Sequence, residues 1–260
     1  MNKAKFCLNV LKSTLHPYVY QGSRYLDSFI SQTELSQEKG NGQVEKRVFV
    51  FWTGNNPMSA NRLAGMKALE EKADVPILLI TPDNLQEWIK PEAPLHPAYE
   101  YLSLVHKSDY LRCYFMHHWG GGYSDVKPCR FPWQSFFDDL DKSAAYLVGY
   151  CEKKAADLAQ VSGKVMQDME NYFSRIVGNC AYICRPDTPF TREWYQELHR
   201  RMDAYAPALE AAPGNVMGDN EGYPIPWTNI LGDIFHPLAL KYSGRILRRN
   251  KLRPVCQNYR

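Results

Sequence analysis

The chain has 260 residues, of which 45% are hydrophobic, 13% aromatic and 23% charged, and its formal net charge is +3. That is ample apolar material for one packed α/β domain with appendages, and too little net charge to argue for a nucleic-acid partner. Its seven cysteines, an odd number, form no CxxC pair and no Cys/His zinc spacing, so free thiols in a cytoplasmic protein are expected.

The apolar stretch at residues 6–15 is interrupted by Asn9, Lys12, Ser13 and Thr14. This is neither a secretory core nor a membrane span. It reads as a surface helix, with an amphipathic helix lying on a membrane as the alternative. Residues 32–46 are polar and contain Gly40-Asn41-Gly42, the composition of a linker or loop. Residues 1–46 are therefore expected to be an N-terminal helical extension and linker, and 47–260 the functional body.

Val48-Phe49-Val50-Phe51-Trp52 reads as a buried strand, ended by Thr53-Gly54-Asn55-Asn56-Pro57. Ser59 caps a predicted helix reaching Lys72, and Val75-Pro76-Ile77-Leu78-Leu79-Ile80 is the next strand. Such a βαβ unit places ligand-binding loops at the carboxyl ends of its strands, which makes the loop after Trp52 a candidate site. Residues 97–119 are predicted as one long helix, apolar around most of its circumference and so largely buried. Gly120-Gly121-Gly122 is expected to end it, and 123–126 to resume as a strand. Further on, 144–150 and 179–184 read as strands, 188–205 as a helix and 206–237 as a long Pro/Gly-rich segment. The expected class is α/β, a Rossmann-type mixed sheet flanked by helices. The end of the chain carries Lys241, Arg245, Arg248, Arg249, Lys251, Arg253 and Arg260 with no acidic residue. It suits peripheral contact with an anionic membrane surface, a phosphorylated acceptor, or a solvated terminus.

Asp109 and Arg112, three apart on a helix, share a face. They form either a structural ion pair or a carboxylate and guanidinium that hold sugar hydroxyls and phosphate. Asp125 stands at the end of the expected 123–126 strand, just after the triple glycine. It is either a turn cap or the place for a diphosphate-bound cation or a ribose. His117 and His118, adjacent on a helix and about 100° apart, make a poor chelate, and His106 adds nothing to it.

The pattern Ser108-Asp109-x-x-Arg112 followed by Gly121-Gly122-x-x-Asp125 resembles the signature of capsular polysaccharide synthesis proteins. Related to these are fungal outer-chain mannosyltransferases and glucosylating toxins that share a DXD motif. The resemblance extends to Phe51-Trp52-Thr53-Gly54 and Leu79-Ile80-Thr81-Pro82-Asp83-Asn84, and covers residues 48–127 best. It implies a GT-A-like fold and a glycosyltransferase that takes a nucleoside-diphosphate sugar, with a UDP-sugar favoured. The acceptor would be a glycan or lipid-linked glycan of surface polysaccharide, and anomeric configuration would be retained. Carried over by position, Phe51, Trp52, Thr53 and Gly54 would meet the nucleobase, with Trp52 stacking. Asp109 and Arg112 would hold the donor sugar. Gly122, Tyr123, Ser124 and Asp125 would line the ribose and metal region.

Lys127 departs from the pattern, because it stands where a second carboxylate would bind Mn²⁺ or Mg²⁺, and a charged lysine cannot ligate a metal. Three readings follow: Asp125 holds a cation with diphosphate oxygens and a downstream ligand, the ammonium offsets diphosphate charge, or Lys127 points to solvent. The downstream ligand would come from a C-terminal loop containing Trp227, Asn229 and His236, by analogy with other GT-A enzymes. Asp219-Asn220-Glu221 is a turn that faces either acceptor or solvent. The competing readings are a sugar-nucleotide binder without turnover and a phosphoesterase acting through Asp125.

Overall fold

In the computed structural model, which describes residues 3–257, the chain runs α1 (Lys3–Leu15), β1 (Val48–Phe51), α2 (Ala60–Ala73), β2 (Ile77–Ile80), α3 (Leu104–His118) and β3 (Gly121–Ser124). It continues through α4 (Gln134–Asp141), β4 (Leu147–Cys151), α5 (Gly163–Asn171), β5 (Val177–Cys184), α6 (Pro189–Ala211), α7 (Gly232–Lys241) and β6 (Ile246–Arg248). The six strands form one mixed sheet in the order β2-β1-β3-β5-β4-β6. β1 is parallel to β2 and β3, β5 is antiparallel to β3 and β4, and β6 is parallel to β4. All strands except β5 therefore point their carboxyl ends at one edge. This is a Rossmann-like α/β fold, as the sequence pattern led one to expect.

Alternation along β1 splits the core in two. Phe49 and Phe51 pack with α3, α6 and α7 on one face, while Val48 and Val50 pack with α2 and α4 on the other. Ser59 caps α2 by accepting from Arg62 N. Gly120 leaves α3 with φ +63, and a Cβ there would lie 2.5 Å from Pro186 Cδ, so the left-handed turn into β3 requires glycine.

Four expectations need correction. Residues 97–119 are not one helix: Pro97–Tyr101 is a 3₁₀ turn, Leu102 is extended, and Ser103 caps a new helix by accepting from His106 N. The helix expected at 188–205 runs through Pro207 to Ala211, its last turn held by fully buried Leu209. Within the expected loop at 206–237, α7 begins at Gly232. It is apolar nearly all round and buried, as such a helix must be.

The C-terminal basic run is not simply a solvated terminus. Lys241 is buried and donates to Glu193, Ile30 O and Thr33 O, Arg249 pairs with Asp139 at 2.6 Å, and Arg248 donates to Arg175 O. Arg260 lies outside the described residues.

The stretch expected as extension and linker is irregular from 16 to 46 apart from two short 3₁₀ turns, and it packs on the body. Tyr25 and Ile30 are fully buried in the larger core cluster. The buried Arg185 guanidinium donates to the carbonyls of Asn41, Gly42 and Leu140, tying this stretch to the end of α4. No helix among the described residues is long and apolar enough to cross a membrane.

Candidate functional site

The carboxyl ends of β1 and β3 are adjacent, and a cavity of about 340 Å³ opens above them. Phe51 to Gly54 form one wall, and Ser108 and Arg112, one helical turn apart on α3, form another. Tyr123, Asp125 and Lys127 make the floor, and Arg62 of α2 together with Met217 and Trp227 of the 213–227 loop close the rim. The loop is fixed to α3. The first amides of that helix, Leu104 N and Val105 N, donate to Asn215 O and Val216 O. His106 stacks on Tyr223, bonds its hydroxyl through Nδ1 at 2.8 Å, and reaches Trp227 O through Nε2 at 3.3 Å. Burial lowers the His106 pKa to about 4, so the ring is neutral at pH 7 and one of these nitrogens donates while the other accepts.

The floor is a packed charge cluster. Arg112 Nη2 lies 3.4 Å from Asp109 Oδ1 and 3.3 Å from Asp125 Oδ1, and Nη1 donates to Asn179 O. The Arg112 guanidinium also sits over the Tyr123 ring, 4.5 Å from its centroid. Asp125 has both oxygens engaged: Oδ1 accepts from Tyr123 OH at 2.6 Å and Oδ2 from Lys127 Nζ at 2.7 Å. Burial pushes this carboxyl up, but Arg112 and Lys127 outweigh burial and hold it at about 2. For Lys127 burial works downward, and Asp125 outweighs it and raises the ammonium pKa. Asp109 differs, because burial dominates over Arg112, Asp125 adds repulsion, and its pKa rises to about 6.

Several sequence-predicted residues converge here. Phe51, Trp52, Thr53, Gly54, Arg112, Tyr123, Asp125, Lys127 and Trp227 all line the cavity. Trp52 is half-buried with Nε1 donating to Asn56 O, and Trp227 is exposed. Asp109 stands one layer behind, touching the cavity only through Arg112. Lys127 is 5% exposed, so the reading in which it points to solvent is wrong.

Others lie elsewhere. Gly122 serves packing: a Cβ there would be 2.8 Å from Val48 Cγ2 and 2.9 Å from Trp133 Cζ3, so it keeps β1 and the Trp133 indole close. Ser124 is buried with its hydroxyl on Asp125 O. His236 is buried in α7, where Nδ1 accepts from Ala159 N, and burial lowers its pKa to about 4. It is not a ligand at the β3 end. Asn229 lines a separate cavity of about 710 Å³ beside α6, where its side chain meets Asp233 and Tyr205. That larger space has Glu197 neutralised by Arg200 and Arg201, so the smaller cavity, with its buried cations at strand ends, is the better candidate. Asp219 and Asn220 close a turn on Asn215.

Arg62, His106 and Met217 were missed as site residues. Arg62 carried a signal, since it sits in the first turn of a helix that follows a strand-end loop, while the roles of His106 and Met217 depend on a contact with a distant loop. Among the described residues no group of three His, Cys, Asp or Glu side chains is placed to hold a metal ion. No family model matches the chain, and no curated protein matches it either.

Proposed function

We propose that this chain is a glycosyltransferase of GT-A type that takes a nucleoside-diphosphate sugar, UDP-linked by preference, and passes the sugar to a glycan or lipid-linked glycan acceptor of surface polysaccharide. The observation that carries this reading is the Arg112–Asp125–Lys127 cluster on the floor of a strand-end cavity, walled by Trp52 and rimmed by Arg62. Trp52 offers a nucleobase a stacking face. Arg62 and Lys127 supply positive charge for a diphosphate, and Ser108 and Arg112 supply hydroxyl and guanidinium donors for the sugar.

The expected divalent ion fits these side chains poorly. Its one carboxylate, Asp125, already has both oxygens engaged, and the Lys127 ammonium sits where a cation would. We read Lys127 as that cation, so that the leaving diphosphate is stabilised by a fixed ammonium rather than by Mn²⁺ or Mg²⁺. An Asp125 held by Tyr123, Arg112 and Lys127 is a weak nucleophile. Retention of configuration with the acceptor hydroxyl attacking on the leaving-group face then suits the site, because no protein nucleophile is needed.

The saturated Asp125 also favours a second reading, in which the chain binds the sugar nucleotide without transfer. Incubation with UDP-hexoses in EDTA separates the two. Release of UDP, with the sugar on water or an acceptor, supports the enzyme, whereas saturable binding without UDP release supports the binder.

A further inference from the structure

Helix α1 is inverted. The side chains turned toward the body are Phe6, packed on Phe173 with ring centroids 6.2 Å apart, Asn9, bonded to Asn171 O and Ser174, and Ser13, which is buried and accepts from Arg175 Nε. Two residues after each of these, about 200° around a helix, stand Leu8, Leu11 and Leu15, exposed by 65%, 56% and 67%. Asn9 and Ser13 thus face the protein, and the leucines form one continuous outward stripe.

The stripe has cationic margins on both sides. Lys5 and Lys12 stand three before and four after Leu8, adjacent to it on the helix surface. On the other flank, Phe6 and Cys7 wall a cavity of about 590 Å³ that is also lined by Arg130, Lys153, Lys251 and Arg253 and by no carboxylate. Lys251 lies 5.2 Å over the half-exposed Phe131 ring on the same wall, and Arg253 is held by Glu152 at 3.8 Å. No Asp or Glu occurs before Asp27.

We propose that this face, α1 with the cationic cavity beside it, docks on an anionic lipid surface. An apolar helical stripe between basic margins is the arrangement that lets leucines enter the acyl boundary while ammonium and guanidinium groups meet anionic headgroups. The chemistry excludes a neutral bilayer as an equal partner, since the basic margins gain nothing there. This inference stands on residues outside the nucleotide cavity and does not depend on the reading of that site.

The test is co-sedimentation of the full chain with vesicles of equal parts phosphatidylglycerol and phosphatidylcholine, and with pure phosphatidylcholine vesicles. Wild-type protein is expected to pellet with the anionic vesicles at least about tenfold more than with the neutral ones, and to be released by high salt. The triple variant Leu8→Gln/Leu11→Gln/Leu15→Gln, whose changes are all on exposed positions, should keep the wild-type melting temperature and lose the binding. The double variant Arg130→Ala/Lys251→Ala should weaken it. Absence of binding to anionic vesicles overturns the proposal, as does undiminished binding by the triple variant. A wild-type dimer in light scattering that the triple variant converts to monomer, without lipid binding in either, assigns the stripe to a second copy of the chain and equally overturns it.

Discussion

Lys127 Nζ lies 2.7 Å from Asp125 Oδ2, so the position at which a second carboxylate was expected holds instead a buried cation paired to the first. The charge pattern of the cavity floor follows from this contact. A single carboxylate is flanked by the cations Arg112 and Lys127, and the space above it favours an anion.

Removing Asp125 should damage both fold and function. Asp125→Ala leaves two buried cations facing one another, and loss of one partner from such a cluster costs about 3–5 kcal/mol. Thermal unfolding should show a clear drop in midpoint, and the variant should lose donor turnover by about a hundredfold or more. A wild-type melting temperature would contradict the cluster as described.

Exchanging the cation for an acid should create a metal dependence. In Lys127→Asp two carboxylates meet at the end of β3, so the protein alone should be less stable than wild type, and millimolar Mn²⁺ should recover part of the loss. Wild type should show no Mn²⁺-dependent shift in melting temperature. The comparison is read by differential scanning fluorimetry with and without EDTA.

Asp109 gives a pH signature of known sign. Its folded pKa of about 6 lies above the reference value of 3.8, so the folded state holds this proton more tightly and stability falls as pH rises from about 4 through about 6. Asp109→Asn is neutral throughout, so it should match wild type near pH 4 and exceed it at pH 8 by on the order of 3 kcal/mol. Urea unfolding of both proteins at the two pH values checks this. A variant less stable than wild type at pH 8 would show that the Arg112 pairing outweighs burial.

His106 should act through the loop it anchors. His106→Ala removes the contacts to Tyr223 and the Trp227 carbonyl, loosening the 223–227 end of the loop while the bonds from Leu104 N and Val105 N still hold its 215–216 end. Nucleotide binding should weaken by about tenfold, the equivalent of one or two hydrogen bonds' worth of order at the rim, and limited proteolysis should cut the loop faster than in wild type.

The sheet was readable because its strands are short apolar runs between turn residues: 48–51, 77–80 and 177–184 all fall within or beside their expected positions. The floor of the site was readable for the same reason, since Asp125 follows a strand and Arg112 follows Asp109 at helical spacing. What failed depended on tertiary contact. α7 carries Pro237 and begins in a glycine-containing loop, so local signals opposed a helix that burial alone sustains. The apolar content of residues 97–119 concealed the Ser103 cap that divides them. His236 precedes a proline in a segment that looked like a loop, and nothing local announced that α7 would carry it away from the β3 end. The inward Asn9 and Ser13 of α1 were visible as polar interruptions, but only the docked helix reveals which side they face.

Isothermal titration of UDP and UDP-hexoses into the purified chain in EDTA tests the central claim most directly, with Trp52→Ala and Arg62→Ala as comparisons. Saturable binding without added metal is expected, with the loss of Trp52 weakening it by about 1–3 kcal/mol, the range for one stacked base, and the loss of Arg62 weakening it further for UDP than for uridine. If no nucleoside diphosphate or its sugar binds, with or without Mn²⁺, the cavity between β1 and β3 is not a donor site.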